Sequence, residues 1–363
     1  MPSAFRRGAG AFLLCCALTT HAAPLRSTDR DAPFSVAAST VSAAITCKPD
    51  PRARYGTVLL VHGTGSTGAE TWAPGPYWQL LPAQGLQVCY VTLPNRALSD
   101  AQVSAEYVAH AVQLLAPASS TRNVAIIAHS QGNLNTQWAL NFWPSIRKLV
   151  RTYVSIAGDF KGTLEGPFAC LGLNLLEGGC EPSIIQQSVG SNYLAASNAR
   201  GNTAFVPTTS VFTIEDDIIQ PEIGPVPTSL LPNAQVASIQ QLCSLAHVAD
   251  HFTMTIDAGV FNVALSALTS PIGRADFSVA KPLTTCLLYP GVISSATFSA
   301  VPGAIKQLAL DAAAVLTNGD RARVEAPLKP YVCQRGDAPS AVCRSAAPAP
   351  AAARPSNAHP HVL

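Results

Sequence analysis

Charge is scarce in this 363-residue chain: Lys, Arg, Asp and Glu together make up 12% of it, against 48% hydrophobic residues. So few ions cannot cover a domain of this size, so some apolar surface must face solvent and apolar partners are favoured. A formal net charge of +2 without any Lys/Arg cluster argues against nucleic acid as a partner. Long apolar runs are missing too. No stretch reaches the roughly 18 uninterrupted apolar residues of a transmembrane helix, and the first apolar run, 9–18, is too short to span a bilayer. No Cys-x-x-Cys or Cys/His cluster has metal-ligand spacing, so no metal is expected. Internal repeats and interior linkers are also lacking, which leaves one domain.

The chain opens with the pattern of an export signal: Arg6 and Arg7 form a basic region, 9–18 an apolar core, and Thr20-His21-Ala22 a small-residue cleavage site. Residues 1–22 are therefore expected to be removed and the product secreted, to the periplasm or the exterior, and to act as a monomer. Residues 23–44 lack periodicity and 345–363 form an Ala/Pro tail, so both are expected to be poorly ordered around a folded domain at 45–344. Of ten cysteines, Cys15 and Cys16 fall in the signal, leaving Cys47, Cys89, Cys170, Cys180, Cys243, Cys286, Cys333 and Cys343. An even set in an oxidising compartment reads as disulfides. Joining neighbours along the chain is the simplest pairing, but spacing alone leaves roughly a hundred connectivities open.

Buried strands are expected at 57–61, 85–92, 123–128, 149–156 and 210–214, each a short run rich in apolar residues. Helices are expected over 99–115, with Ser99 as N-cap, over 131–142, and over 302–316, where Ile305, Leu308, Ala309, Ala312 and Leu316 share a stripe. The alternation implies an α/β fold: a mostly parallel central sheet with helices on both faces and ligands beyond the carboxyl ends of its strands.

Ala128-His129-Ser130-Gln131-Gly132 joins an expected strand to an expected helix, the pattern of a nucleophile elbow. The turn is so sharp that small residues are needed two places either side of the serine. It lifts Ser130 above the sheet, where the helix N-terminus favours an oxyanion. Upstream, His62-Gly63-Thr64-Gly65 follows a strand where a second oxyanion donor belongs, so Thr64 and Gln131 are expected to donate their backbone N–H groups, with the Thr64 hydroxyl as a further donor. His62 precedes the nucleophile, against the serine, acid, histidine order of this pattern, and is expected to brace the loop.

Position eliminates most other histidines. His21 leaves with the signal, His129 belongs to the elbow, His110 lies in a helix expected at the surface, and His359 and His361 are in the tail. His251, just ahead of a helical pattern through Phe252, Ile256, Val260 and Ala264, is preferred to His247 as general base. The acid should follow the 210–214 strand, where spacing leaves Asp216 and Asp217 equal. Such a set would transfer acyl groups through a covalent intermediate, without metal or organic cofactor.

Several segments carry a family resemblance: 61–68 (VHGTGSTG), 130–132 (SQG), 142–147 (FWPSIR), 158–163 (GDFKGT), 206–209 (VPTT), 215–221 (EDDIIQP) and Asp250-His251. On them the chain resembles the Candida antarctica lipase B family of α/β-hydrolases from about Cys47 to Cys343. The resemblance implies the α/β-hydrolase fold and a secreted carboxylic ester hydrolase acting on apolar esters or lipids. It gives the acid role to Asp216, and makes Asp159 and Gln187 polar groups of the pocket. It also implies disulfides Cys47–Cys89, Cys243–Cys286 and Cys333–Cys343. Two departures stand out. His129 replaces the family's tryptophan, which alters the alcohol side of the pocket, and Cys170 and Cys180 are additional, bracketing the segment where the family has a short mobile lid. Rival readings are a polyester or cutin-type depolymerase with the same chemistry, and a catalytically dead lipid-binding protein, which the complete set of triad residues disfavours.

Overall fold

The computed structural model describes residues 30–50, 52–289, 313–317, 320–338 and 342–343. The expected signal, the Ala/Pro tail and most of the expected 302–316 helix lie outside the described residues; 313–317 is helical.

Among the described residues seven strands form one sheet: β1 (Ile45–Lys48), β2 (Thr57–Val61), β3 (Gln87–Val91), β4 (Val124–His129), β5 (Val150–Ile156), β6 (Thr208–Phe212) and β7 (Gln235–Ser238). Their order is β1-β3-β2-β4-β5-β6-β7. Only β1 runs antiparallel to its neighbour, and the other five pairings are parallel. Successive side chains of a strand point to opposite faces, and here both faces are buried. Leu59, Val61, Ile126, Ala128 and Tyr153 pack under the helices Ala101–Ala118 and Gln131–Phe142. Val58, Leu60, Ala125, Ile127 and Val154 pack against Val260, Phe261, Ala264 and Leu268 of the helix Ala258–Thr269. Burying each large aliphatic side chain contributes about 1.5–3 kcal/mol, so the continuous apolar runs that marked these strands also hold the sheet together.

From β2 the chain moves outward to β3, then returns past β2 to form β4 on its other side. Strand order thus reverses between β2 and β4, and a crevice opens at their carboxyl ends. The pairing of Val61 with Ala128 sets the loop beginning at His62 beside the elbow at Ser130.

Four disulfides form among the described residues: Cys47–Cys89, Cys170–Cys180, Cys243–Cys286 and Cys333–Cys343. The first joins directly opposed residues of β1 and β3. Such a set belongs to folding in an oxidising compartment. Among the described residues no helix is long and apolar enough to cross a membrane.

Several expectations need correction. The long helix is Ala101–Ala118, and its N-cap is Asp100, whose carboxylate accepts the Gln102 N–H at 3.0 Å, rather than Ser99. The charged acceptor wins the cap, and the Ser99 hydroxyl instead donates to Asp320. The helical pattern after Asp250 is broken into a single turn, Thr253–Thr255, and the helix Ala258–Thr269, because Asp257 accepts the Val260 N–H and caps the second piece. His110 is buried, not on the surface: its ring stacks on Phe34 with centroids 3.6 Å apart, and its Nε2 lies 3.0 Å from the Val36 carbonyl. The same contacts correct the expectation of disorder for the described part of 23–44. Ala32 and Val41 are in the core, Ala38–Ala43 is helical, and the Glu106 carboxylate accepts hydrogen bonds from the Ser35 and Val36 amides and the Ser35 hydroxyl. Polar anchors, which a search for apolar periodicity does not see, order this segment. The edge strands β1 and β7 were not expected either, since four-residue strands without a full apolar face give little pattern to read.

Candidate active site

β4 ends at His129, and Ser130 follows with φ 56° and ψ −134° before the helix Gln131–Phe142. A non-glycine residue at positive φ is strained and needs surrounding bonds to hold it. The Ser130 N–H donates to the Ile156 carbonyl at 3.1 Å, and Asn133 Nδ2 donates to the carbonyls of Ser130 and Ile156, both at 3.0 Å. The Tyr153 hydroxyl in turn donates to Asn133 Oδ1 at 2.6 Å. A Cβ on Gly132 would lie 2.8 Å from the Val61 and His62 carbonyl oxygens, and one on Gly63 would lie 2.7 Å from Ser130 Cβ. Both positions therefore require glycine, because the loops after β2 and β4 are in contact.

Asp216 sits four residues beyond β6. Its Oδ1 accepts the amides of Ile218 and Ile219 at 2.9 and 2.6 Å, and its Oδ2 lies 2.8 Å from His251 Nδ1. Both side chains are shut away from water, whereas Asp217 is exposed, and this distinguishes the two aspartates that spacing left equal. Burial disfavours charge on either partner, but the mutual attraction and the two amides outweigh it: the Asp216 pKa is lowered and that of His251 raised. His247 instead pairs with Asp257.

Ser130 and His251 are 5% and 2% exposed, and they share no hydrogen bond among the described residues. Without substrate a nucleophile–base contact is commonly loose and tightens in the Michaelis complex. The elbow and His251 are nevertheless tied together, since His129 Nε2 lies 2.9 Å from the His251 carbonyl and the two rings are 4.7 Å apart. Burial, then the neighbouring His251, lowers the His129 pKa to about 3. Its ring is thus neutral, and donation to a carbonyl puts its one proton on Nε2. His62 is fixed as expected: it contacts the Gly63 carbonyl through Nδ1 and accepts the Leu93 amide at Nε2, and burial lowers its pKa to about 4.

Thr64 and Gln131 come together with Gln187. The Thr64 hydroxyl donates to Gln131 Oε1 at 2.6 Å and accepts from Gln187 Nε2 at 3.0 Å. Its single proton is occupied by Gln131, so the expectation of the Thr64 hydroxyl as a further donor is not met in this arrangement. Asp159 is fully buried with neither carboxylate oxygen hydrogen-bonded, and burial, reinforced by Asp216, raises its pKa to about 7. It lies within electrostatic reach of the Asp216–His251 pair.

No protein-family model matches the chain. Lipase B of Pseudozyma antarctica is 34% identical over 329 residues, 89% of this chain and 92% of that protein. The chain belongs to the lipase B family. The crystal structure of Aspergillus fumigatus lipase B agrees, with a TM-score of 0.71 and 29% identity over 83% of this chain and 73% of that one. Bacillus licheniformis lipase BlEst2 in its propeptide form shares the fold alone, at a TM-score of 0.50 and 14% identity over 64% of this chain and 55% of that one. As a lipase B family member the protein is an α/β-hydrolase and a carboxylic ester hydrolase, the class that the elbow motif implied.

Sequence reasoning missed Asn133, Glu70, Arg96 and Glu222. Asn133 carried a signal, being a polar residue on the buried side of the elbow helix. Glu70 carried one too, in the Thr67-x-x-Glu70 spacing of a capping box, whereas its ion pair with Arg96, 26 residues on, and the buried contact of Glu222 with Ser229 left none in local spacing.

Proposed function

We propose that this lipase B family member hydrolyses apolar carboxylic esters with Ser130 as nucleophile, His251 as general base and Asp216 as its orienting acid. One observation carries the reading. His251 commits Nδ1 to a buried carboxylate while His129 fastens its backbone to the elbow, so Nε2 is the nitrogen left to take a proton beside Ser130. In the proposed cycle His251 accepts the Ser130 proton as the hydroxyl attacks the ester carbonyl, and the Thr64 and Gln131 amides hold the developing oxyanion. His251 then protonates the departing alcohol, water enters, and the same groups run the steps in reverse to free the acid. Side chains and water carry every proton, so the cycle calls on no cofactor.

The proposal extends to the whole chain: 1–22 is removed on export, 45–344 forms the catalytic unit, and the product works as a monomer outside the cytoplasm. The four disulfides support export. Asp159, Gln187 and His129 are assigned to the pocket wall. Exposed Phe168, Leu171 and Leu175 on the helix Glu165–Glu177 favour substrates presented on an apolar surface, and a solid polyester is the second reading. The test compares p-nitrophenyl esters of increasing chain length, triglyceride and polyester film as substrates, with fluorophosphonate labelling of Ser130. Ser130→Ala should abolish labelling and lower kcat on the order of a million-fold. A wild type that neither labels nor turns over any ester would refute the reading.

A further inference from the structure

The segment that carries the Thr64 amide is gripped by a residue far from it in sequence. Arg96 takes both polar backbone groups of Gly65: its carbonyl accepts the Gly65 N–H at 2.8 Å, and its Nε donates to the Gly65 carbonyl at 2.6 Å. Its two remaining guanidinium nitrogens form a fork on Glu70, at 3.0 and 2.6 Å. Glu70 also accepts the Thr67 N–H at 3.1 Å, and Thr67 Oγ1 returns the contact by accepting the Glu70 N–H at 3.2 Å, capping the short helix Gly68–Trp72. The stretch from Gly65 to Glu70 is therefore pinned at both ends by one ion pair. Arg96 reaches it from a left-handed turn in which Asn95, Arg96 and Ala97 have φ of 46°, 56° and 57°. Residues with side chains resist that conformation, so the turn persists because the contacts around it hold it there.

We infer that Arg96 and Glu70 are positioning residues for the oxyanion hole: by clamping Gly65 they keep the preceding amide, that of Thr64, aimed at the reacting carbonyl. The inference rests on the proposed roles of Ser130 and Thr64. Neither side chain touches the reacting atoms. On its other side Thr64 is held through its hydroxyl by Gln131 and Gln187, so the donor amide is suspended between two fixed points. An oxyanion donor is effective when its direction is set before the charge develops, and a shift of about half an ångström is enough to weaken it. Three donors in one rigid plane are required here, one for the Gly65 carbonyl and two for Glu70. A lysine ammonium cannot reproduce that fork.

The test uses Arg96→Met, Arg96→Lys and Glu70→Gln in the full-length enzyme. The readouts are kcat and KM on p-nitrophenyl butyrate and inhibition by a trifluoromethyl ketone, whose adduct with Ser130 carries the oxyanion. Active sites are counted with a fluorophosphonate. Arg96→Met should lower kcat per titrated site about 10-fold with KM within about 2-fold, and should weaken ketone inhibition by a similar factor. Arg96→Lys should recover part of the loss, and Glu70→Gln should move both readouts in the same direction by less. Unchanged kcat and inhibition per titrated site would overturn the inference. If Arg96→Met does not fold, Glu70→Gln decides alone by the same criterion. A wild type whose Ser130 does not react with the fluorophosphonate would instead bring down the hydrolase reading on which the inference stands.

Discussion

His247 Nε2 lies 2.6 Å from Asp257 Oδ2, so a second His–Asp pair stands four residues before the one that His251 makes with Asp216. The other Asp257 oxygen accepts the Val260 N–H and caps the helix Ala258–Thr269. This pair therefore fastens a loop to a helix end. His247→Ala should leave kcat within about 2-fold and cost about 1 kcal/mol of stability, whereas His251→Ala should remove nearly all turnover. The hydrogen bond that His247 donates to Asp257 raises the His247 pKa. Its contribution is then complete below the ordinary histidine value and fades as pH rises through the raised one. Thermal melts of wild type and His247→Ala should differ most in acid and converge in alkali; loss of turnover in His247→Ala would transfer the base role to it.

The rate should rise with pH as His251 loses its proton. Burial works against the charged ring, but Asp216 prevails and sets the pKa above the ordinary histidine value. In Asp216→Asn the burial effect is unopposed, so the acid limb of kcat/KM should move to lower pH. The plateau should fall on the order of 10,000-fold because the ring loses its orienting partner. A full pH–rate profile of both proteins checks the direction of the shift, and a limb that stays in place would count against the assignment.

Glu222 is buried beside Ser229, and its pKa is raised to about 8, chiefly by that burial. Proton counting agrees. The Ser229 hydroxyl has one hydrogen but contacts both the Gly158 carbonyl, at 2.7 Å, and Glu222 Oε1, so a protonated Glu222 completes the set. An acid whose folded pKa lies above its unfolded value stabilises the fold fully at low pH, and that stability drains away as pH climbs from about 4 towards 8. Glu222→Gln should therefore melt like wild type near pH 4 and gain on the order of a few kcal/mol over it near pH 9. Equal melting temperatures across the range would contradict the assignment.

Cys170 lies within the helix Glu165–Glu177, and its disulfide to Cys180 closes a small loop. Next to it the chain is stitched down again, since Cys180 and Ala322 exchange both backbone hydrogen bonds at 2.8 Å. A segment held this way should open little. Hydrolysis of a short triglyceride should show no jump in rate as the substrate passes its solubility limit. Cys170→Ser/Cys180→Ser should acquire such a jump and lose about 3 kcal/mol of stability. A jump in the wild type would show that the clamp does not restrain this segment.

The parts of the fold and site that were legible beforehand are those governed by local pattern. β2 and β4 are near-continuous apolar runs because both sheet faces are covered, and the elbow announces itself because Gly132 and Gly63 have no room for a Cβ. Choosing between Asp216 and Asp217 needed either the family resemblance or the structure, since adjacent residues differ only in which way the chain turns after β6. The Arg96–Glu70 clamp and the anchoring of Ser35 by Glu106 were illegible for another reason. Each joins an ordinary surface-type charge to backbone dozens of residues away, and one sequence carries no record of that distance closing.

Glu106 has a bearing on how the enzyme is handled. It is 1% exposed, and both its oxygens are occupied by the leading stretch of the chain. Trimming that stretch as dispensable would strip a carboxylate of its amide partners midway along a packed helix, where water reaches it poorly. The shortened protein would then hold an unpartnered carboxylate inside the fold or distort the helix to let water reach it. Heat tolerance should therefore be compared before any change in catalytic performance is credited to the truncation itself.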